Sequence, residues 1–239
     1  MDILRTFTIR AGSTIMKNLE SVTLCIVDTV NTDDAYRVLL HSIKHINFGD
    51  ILFFTDKLPT IQIPDEPWAY RARQIRIHKI EQQDWHSYSN FVLFNLVDYI
   101  RTAHVLICQT DGFILNPHLW TDDFLQYDYI GAKWRLEHLQ GCEWIFNHIK
   151  QTGSLNTVGN GGFSLRSKKL LQYAKESGFE CPGPEDAFIC NNHYDYFVQK
   201  GIKFAPENIA DVFAKEQNES LKYEEVFGFH GNKHLINTI

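Results

Sequence analysis

The chain has 239 residues, 44% of them hydrophobic and 13% aromatic, with a formal net charge of −6. That content supplies one sizeable core, while the acid excess and the lack of a long basic run exclude the footprint of a general nucleic-acid binder. No apolar stretch reaches the ~20 residues that a membrane-spanning helix needs. The opening "MDILRTFTIRAGSTIMKNLE" holds no continuous apolar run of signal-peptide length, so residues 1–20 read as an N-terminal arm. The five cysteines, Cys25, Cys108, Cys142, Cys181 and Cys190, include no C-x-x-C pair. Free thiols in a reducing, cytoplasmic setting are expected.

"VTLCIVDTV" (22–30) is a β-branched run that ends in a polar turn, the pattern of a buried strand. "NTDDAYRVLLHSIKHI" follows with the apolar spacing of an amphipathic helix, opened by Asn31 or Asp33 as cap. "DILFFTD" (50–56) is a second buried strand, residues 57–73 read as loop, and "QIRIHKI" (74–80) alternates like a third. "WHSYSNFVLFNLVDYIRTA" (85–103) is helical by length and pattern and leads into the strand of "HVLICQTDGFILNP". The second half predicts a helix, a short strand and a turn over 116–134, then a Gly-rich turn, strand and helix over 157–177. A proline-started helix with acids in its first turn is predicted over 183–201. Strands alternating with helices predict an α/β domain with a mixed, mostly parallel sheet. Ligands of such sheets bind beyond the carboxyl ends of the strands, and Asp28, Asp56 and Asp111 each follow such an end.

The motifs exclude several chemistries. Despite 11 histidines there is no H-E-x-x-H and no zinc-finger spacing. The nucleophile elbow G-x-S-x-G and the phosphate loops G-x-x-x-x-G-K-[ST] and G-x-G-x-x-G are absent as well. What remains is a set of acids at strand ends, the turn Asn160-Gly161-Gly162, the pair Glu185-Asp186 at a helix start, and a late His230. Asp111 is a carboxylate suited to a hard divalent cation that keeps phosphate oxygens as co-ligands, and Gly112 would let the backbone approach a diphosphate. Asp111-Gly112 between apolar runs is equally a hairpin signal. Glu185-Asp186 are equally ordinary acids complementing a helix dipole. Trp120 and Trp134 are candidates for stacking on a sugar or for the core; Arg71, Arg73 and Arg76 for binding anions or for solvation.

"YSNFVLFNLVDYIRTAHVLICQTDGFIL" resembles the helix-then-DxD segment of GT-A fold glycosyltransferases of the glycogenin-like kind. "VTLCIVDTVN", "QTDGFILNPHLWTDDFLQYDYIGAKW", "VGNGGFSLRSKKLL", "PEDAFIC", "IKFAPENIADVFAKE" and "FGFHG" resemble, in this order, a family of bacterial and viral glycosyltransferase-like domains. The resemblance implies a single GT-A-like domain over 1–239, with a nucleotide-binding half at 20–112 and an acceptor-binding half at 113–231. It implies transfer of a sugar from a nucleotide-diphosphate donor, UDP-linked by preference, to a glycan or other hydroxyl acceptor, with inversion and with help from Mn2+ or Mg2+. Asp111 and His230 would hold the metal. Asp28, Thr29, Asp56, Asn90, Gln109, Thr110, Gly112, Asn160, Gly161 and Gly162 would line the donor. Asp186 would be the base and Glu185 the acceptor-binding acid. Two positions depart from the pattern: Gln109 replaces the first acid of the motif, and Asn90 replaces a basic residue. A binding module of the same fold without turnover, or a nucleotidyltransferase, are the alternatives.

Overall fold

A computed structural model describes residues 16–134, 156–216 and 218–239. The first-half prediction of strand and helix alternation holds. Strand β1 (Lys17–Val27) leads through helix α1 (Thr32–His45) to β2 (Ile46–Thr55), and β3 (Ile75–Lys79) leads through α2 (Trp85–Asn90) to β4 (His104–Cys108). Strand periodicity sorts the apolar side chains onto two faces. Leu24, Ile26, Ile51, Phe53, Leu106 and Cys108 pack on the α1 side. Their neighbours Cys25, Val27, Leu52, Phe54, Val105 and Ile107 pack on the other, under the α2 segment. Buried on both faces, these strands read as continuous apolar runs, as parallel strands do.

The later elements are β5 (Tyr129–Ile130), β6 (Ser164–Ser167), α3 (Lys168–Glu176), α4 (Glu185–Ala187), α5 (Tyr194–Gln199), α6 (Glu207–Phe213), β7 (Ala214–Lys215) and β8 (Gly228–Phe229). The central sheet has six strands in the order β3-β2-β1-β4-β6-β5. The first four are parallel; β6 runs antiparallel to β4, and β5 antiparallel to β6. This is the mixed, mostly parallel α/β architecture that the alternation of strands and helices predicts. A separate two-stranded parallel ribbon pairs β7 with β8.

Several local expectations change. β1 begins at Lys17, inside the stretch read as arm; residues 1–15 of that arm lie outside the described residues. The helix predicted after Asn116-Pro117 is instead two short 3-10 turns, Pro117–Leu119 and Asp122–Gln126. Thr121 caps the second turn, and Trp120 and Phe124 are buried from it, so packing wins over an unbroken helix. Asn31 is the N-cap of α1 but bonds nothing with its side chain. Asp28 instead fastens the turn that leads into the helix, its Oδ1 accepting from the amides of Val30 (2.8 Å) and Asn31 (2.6 Å). The segment after α2 passes through a π-helical turn, Phe91–Asn95, and so does the segment after α4, Phe188–Asn192. Such turns gather at functional sites in other proteins.

Leu24, fully buried in the middle of the sheet, and Val30, 63% exposed in the turn after β1, provide a test of this layering. Leu24→Ala should lower stability by about 2–5 kcal/mol, whereas Val30→Ala should stay within about 0.5 kcal/mol of the parent. Urea unfolding monitored by circular dichroism measures both, and equal effects would contradict the assigned core.

Candidate active site

Sheet order reverses between β1 and β4: β1 leads outward to β2, and the chain then crosses back to add β4 on the other side. Open sheets part at such a point beyond the carboxyl ends of the strands. A cleft of about 490 Å³ lies there, walled by Val27–Asn31 after β1, Gln109–Asp111 after β4, Gln83–Trp85 and Tyr88 of α2, Gly162, Pro184–Asp186 and His230. The chain therefore brings Asp28, Thr29, Gln109, Thr110, Asp111, Gly162, Glu185, Asp186 and His230 into one cavity.

On the β1 side much polar capacity is already used. Asp28 Oδ1 holds its own turn. The buried Thr29 hydroxyl accepts from the Gln83 amide at 2.9 Å, fastening the loop before α2 to the strand end.

On the β4 side, Gln109 and Gly112 exchange both backbone hydrogen bonds, at 2.8 and 3.1 Å, so Thr110 and Asp111 form the tip of a tight turn. The turn is real, yet it is not the Asp-Gly hairpin that the dipeptide suggests. That hairpin needs positive φ, and neither Asp111 nor Gly112 has it. Gly112 is required for close approach: a Cβ there would stand 2.8 Å from His230 Cδ2 and 3.1 Å from the Phe229 carbonyl oxygen. Asp111 thus projects into the cleft beside His230, its Oδ1 at 3.6 Å from His230 Nε2.

His230 arrives from far along the chain, directly after β8, with its amide bonded to the Lys215 carbonyl at 2.9 Å. Its Nδ1 meets Glu216 Oε1 at 3.1 Å, and its Nε2 faces Gln109 Oε1 at 3.2 Å. Gln109 in turn donates from Nε2 to the Tyr88 hydroxyl at 2.9 Å, which aims its carbonyl oxygen at the imidazole. Burial pulls the His230 pKa down, but the Glu216 hydrogen bond and the charges of Glu216, Asp111 and Asp186 outweigh it, and the net shift is upward. Nε2 therefore lies between two acceptor oxygens, Gln109 Oε1 and Asp111 Oδ1: it donates to them when the ring is protonated, and in the neutral ring with the proton on Nδ1 it presents a lone pair beside theirs.

The third wall is the Gly-rich turn against α4. Gly161 N–H donates to Asp186 Oδ2 at 3.0 Å, and Asn160 Oδ1 accepts from Gly162 N–H at 3.1 Å. Asp186 is half-buried; its pKa is pushed up to about 7 by burial and by the neighbouring Glu185 charge, against the lowering effects of the Ala187 N–H, Arg166 and the Gly161 N–H. Glu185 is 5% exposed, and its Oε1 accepts from the fully buried Arg166 at 2.8 Å. An acid expected to reach for an acceptor is thus tied to the wall.

Other expected site residues fall elsewhere. Asp56 follows β2, one strand further out, and does not line the cleft. Asn90 bonds back to His86 within its own helix. Gly112, Asn160 and Gly161 stand behind the lining, as its support. Arg71 is buried and donates to the Ile43 carbonyl at 2.9 Å, Arg76 pairs with Asp50, and Arg73 is exposed outside the cleft. None of the three offers charge to the cleft. Trp120 and Trp134 are core residues, at 5% and 6% exposure. Tyr88, Arg166 and Glu216 were not foreseen. Arg166 stands in a strand half made of serines and followed by two lysines, so nothing in the sequence marks it; Tyr88 and Glu216 are ordinary helix and loop residues until the fold brings them in. Among the described residues no three His, Cys, Asp or Glu side chains cluster to hold a metal, and no helix is long and apolar enough to cross a membrane. The four described cysteines are buried free thiols; Cys142 lies outside the described residues.

Residues 72–230 match the family described as "Protein of unknown function (DUF5672)", and the chain belongs to that family. No curated protein matches the sequence. Among solved structures, a mannosyltransferase from Pyrobaculum calidifontis in complex with GDP-Man and Mn2+ is similar at 11% identity and a TM-score of 0.46, covering 79% of this chain and 55% of that one. A mycobacterial protein is similar at 11% identity and a TM-score of 0.40, covering 62% and 54%. The chain thus matches little more than half the length of either protein.

The packing of the Gly-rich turn can be tested directly. A Cβ on Gly162 would land on the His230 imidazole, whereas nothing lies within 4 Å of one on Gly183. Gly162→Ala should cost about 1–3 kcal/mol through overpacking and shift the His230 ring resonances in NMR spectra. Gly183→Ala should stay within about 1 kcal/mol of the parent and leave those resonances in place. Indistinguishable behaviour of the two variants would refute the contact.

Proposed function

We propose that this protein transfers a sugar from a nucleotide-diphosphate donor, UDP-linked by preference, to an acceptor hydroxyl. One observation carries the reading: at the switch point of the sheet, an Asp111–His230 pair and a separately held carboxylate with a near-neutral pKa, Asp186, face the same cleft. Within the single GT-A-like domain, residues 20–112 form the nucleotide-binding half and 113–231 the acceptor-binding half. A nucleotidyltransferase reading lacks a comparable observation.

The cleft is lined by Asp28, Asp84, Asp111, Glu185 and Asp186, with His230 as its only basic side chain among the described lining residues. A diphosphate cannot enter such a wall without added positive charge. Asp111, the His230 Nε2 and the Gln109 carbonyl oxygen fit a divalent cation such as Mn2+ or Mg2+. Glu216 on Nδ1 leaves the Nε2 lone pair for the ion, the usual carboxylate–histidine support, and donor phosphates would complete the oxygen shell. Bound there, the ion would supply charge stabilisation to the departing diphosphate.

Asp186 is the base. Its carboxylate takes the proton of the acceptor hydroxyl while that oxygen forms the new bond to the anomeric carbon. The bond from that carbon to the diphosphate oxygen breaks, and its electron pair leaves with the nucleoside diphosphate. A single displacement of this kind inverts the anomeric centre. The Gly161 N–H on Oδ2 orients the carboxylate without occupying all of its acceptor positions.

Asp186→Asn keeps shape but accepts no proton; turnover should fall by about 10² to 10⁴-fold with donor affinity unchanged. The parent should release UDP from a matching donor at a rate that rises through a pH of about 7, as Asp186 deprotonates. Proton NMR of the product should show an anomeric configuration opposite to that of the donor; a retained configuration removes Asp186 from the role of base. Asp111→Asn should abolish Mn2+-enhanced UDP binding in calorimetry while leaving thermal stability nearly unchanged. A parent that binds UDP yet releases none across a panel of donors and acceptors is a binding module, the reading favoured by Gln109 in place of an acid.

A further inference from the structure

Arg166 lies in the middle of the short strand β6 and is fully buried. Burying a cation and an anion together is weak support for stability, because apolar side chains of similar volume do as well or better. The contacts suggest a different task. Arg166 Nη2 donates to Glu185 Oε1 at 2.8 Å and to the Gly161 carbonyl at 3.3 Å; Nε donates to Ser164 Oγ at 3.0 Å. The Ser164 hydroxyl donates to the same Gly161 carbonyl at 2.8 Å. On its other side the Gly161 peptide gives its N–H to Asp186 Oδ2 at 3.0 Å. The contacts close a ring that runs from Arg166 through Glu185 to Asp186, on through Gly161, and back to Arg166. The guanidinium also sits 5.4 Å from the centre of the Tyr129 ring, whose hydroxyl donates to the Gly159 and Asn160 carbonyls at 3.0 Å each. No side chain fits at Gly161, since a Cβ would fall on Glu185 Oε1 and crowd Arg166 Nη2 and Asp186 Cβ.

We propose that Arg166 is the positioning residue of this site: it clamps Glu185 and the Gly161 peptide together and so leaves Asp186 as the wall carboxylate free to take a proton. Where that proton comes from rests on the transferase reading; the clamp itself does not. Two adjacent acids would otherwise be interchangeable. With one oxygen of Glu185 held by a buried cation, the division of labour is settled, and Glu185 acts on the chemistry only as a fixed negative neighbour of Asp186.

The test follows Asp186 directly by NMR of protein labelled with carbon-13 at the aspartate carboxyl, with its signal identified by loss in Asp186→Asn. The groups that face Asp186 are Glu185, Arg166, His230, Tyr129, Cys190 and Cys181. Tyr129, Cys190 and Cys181 have raised pKa values and stay neutral in the range scanned; His230 is coupled to Asp186 by charge, so its own titration is followed through its ring resonances in each variant. Glu185→Gln keeps the shape and an acceptor for Arg166 but removes the charge, and should lower the Asp186 midpoint by about one pH unit or more. Arg166→Lys keeps a charge without the guanidinium fork. It should leave the fold intact by circular dichroism, shift the Asp186 midpoint and lower turnover with little change in donor KM. An Asp186 midpoint unmoved by Glu185→Gln overturns the proposal, and it does so even if Arg166→Lys fails to fold. The titration needs no sugar donor: a parent without transferase activity whose Asp186 still responds as expected refutes the transferase reading and supports the clamp. Transferase activity with an unresponsive Asp186 does the reverse.

Discussion

Two neighbouring carboxylates can stand at one wall of a partly desolvated cleft only when something compensates one of them, because like charges this close oppose each other's ionisation. In this protein the compensation is the buried guanidinium of Arg166 on Glu185. Much of the site depends on that pair. The Gly-rich turn is gripped through the Gly161 carbonyl, Asp186 is held by the Gly161 amide, and the cleft wall closes against β6. Asp186, held by the Gly161 and Ala187 amides, is left near neutrality, the range in which a carboxylate is effective as a proton acceptor.

The opposite wall follows a different logic. The Gln109 carbonyl and the Asp111 carboxylate both face the imidazole Nε2 of His230, while Tyr88 and Glu216 fix the orientation of Gln109 and His230 from behind. One side of the cleft thus gathers acceptor oxygens around an imidazole, and the other holds a carboxylate whose pKa lies near neutrality. Gln109 contributes an amide oxygen to this wall but no formal charge. A cation there would be held by less negative charge and would depend more on the ligand's own phosphates.

Sequence reading went furthest where physics is local. The apolar runs of β1, β2 and β4 and the amphipathic spacing of α1 are set by side-chain periodicity, and each was readable to within a few residues. It was weakest where short segments answer to distant partners. Residues 117–126 form 3-10 turns because Trp120 and Phe124 must reach Phe213 and Phe227, which lie about a hundred positions later in the chain. The Asp-Gly step after β4 carried a hairpin signal, yet its turn has another geometry because Gly112 must lie against His230. Arginines 71, 73 and 76 looked like candidates for anion binding on charge alone, and burial, pairing and position removed them.

By itself the sequence determined the alternation of strands and helices, the polar ends of the strands, and an inventory of carboxylates, glycines and His230 that suited a site and ordinary turns and helix starts alike. Only the tertiary structure decided which of these meet. Asp28 and Asp111 share a cleft while Asp56 does not, because β1 and β4 are neighbours and β2 lies one strand out, an order that hydrophobic pattern does not encode. Glu185 and Asp186 are chemically equivalent in the sequence. They differ in the fold because a cation reaches one of them from β6, and electrostatics between buried groups depends on distances that only packing sets.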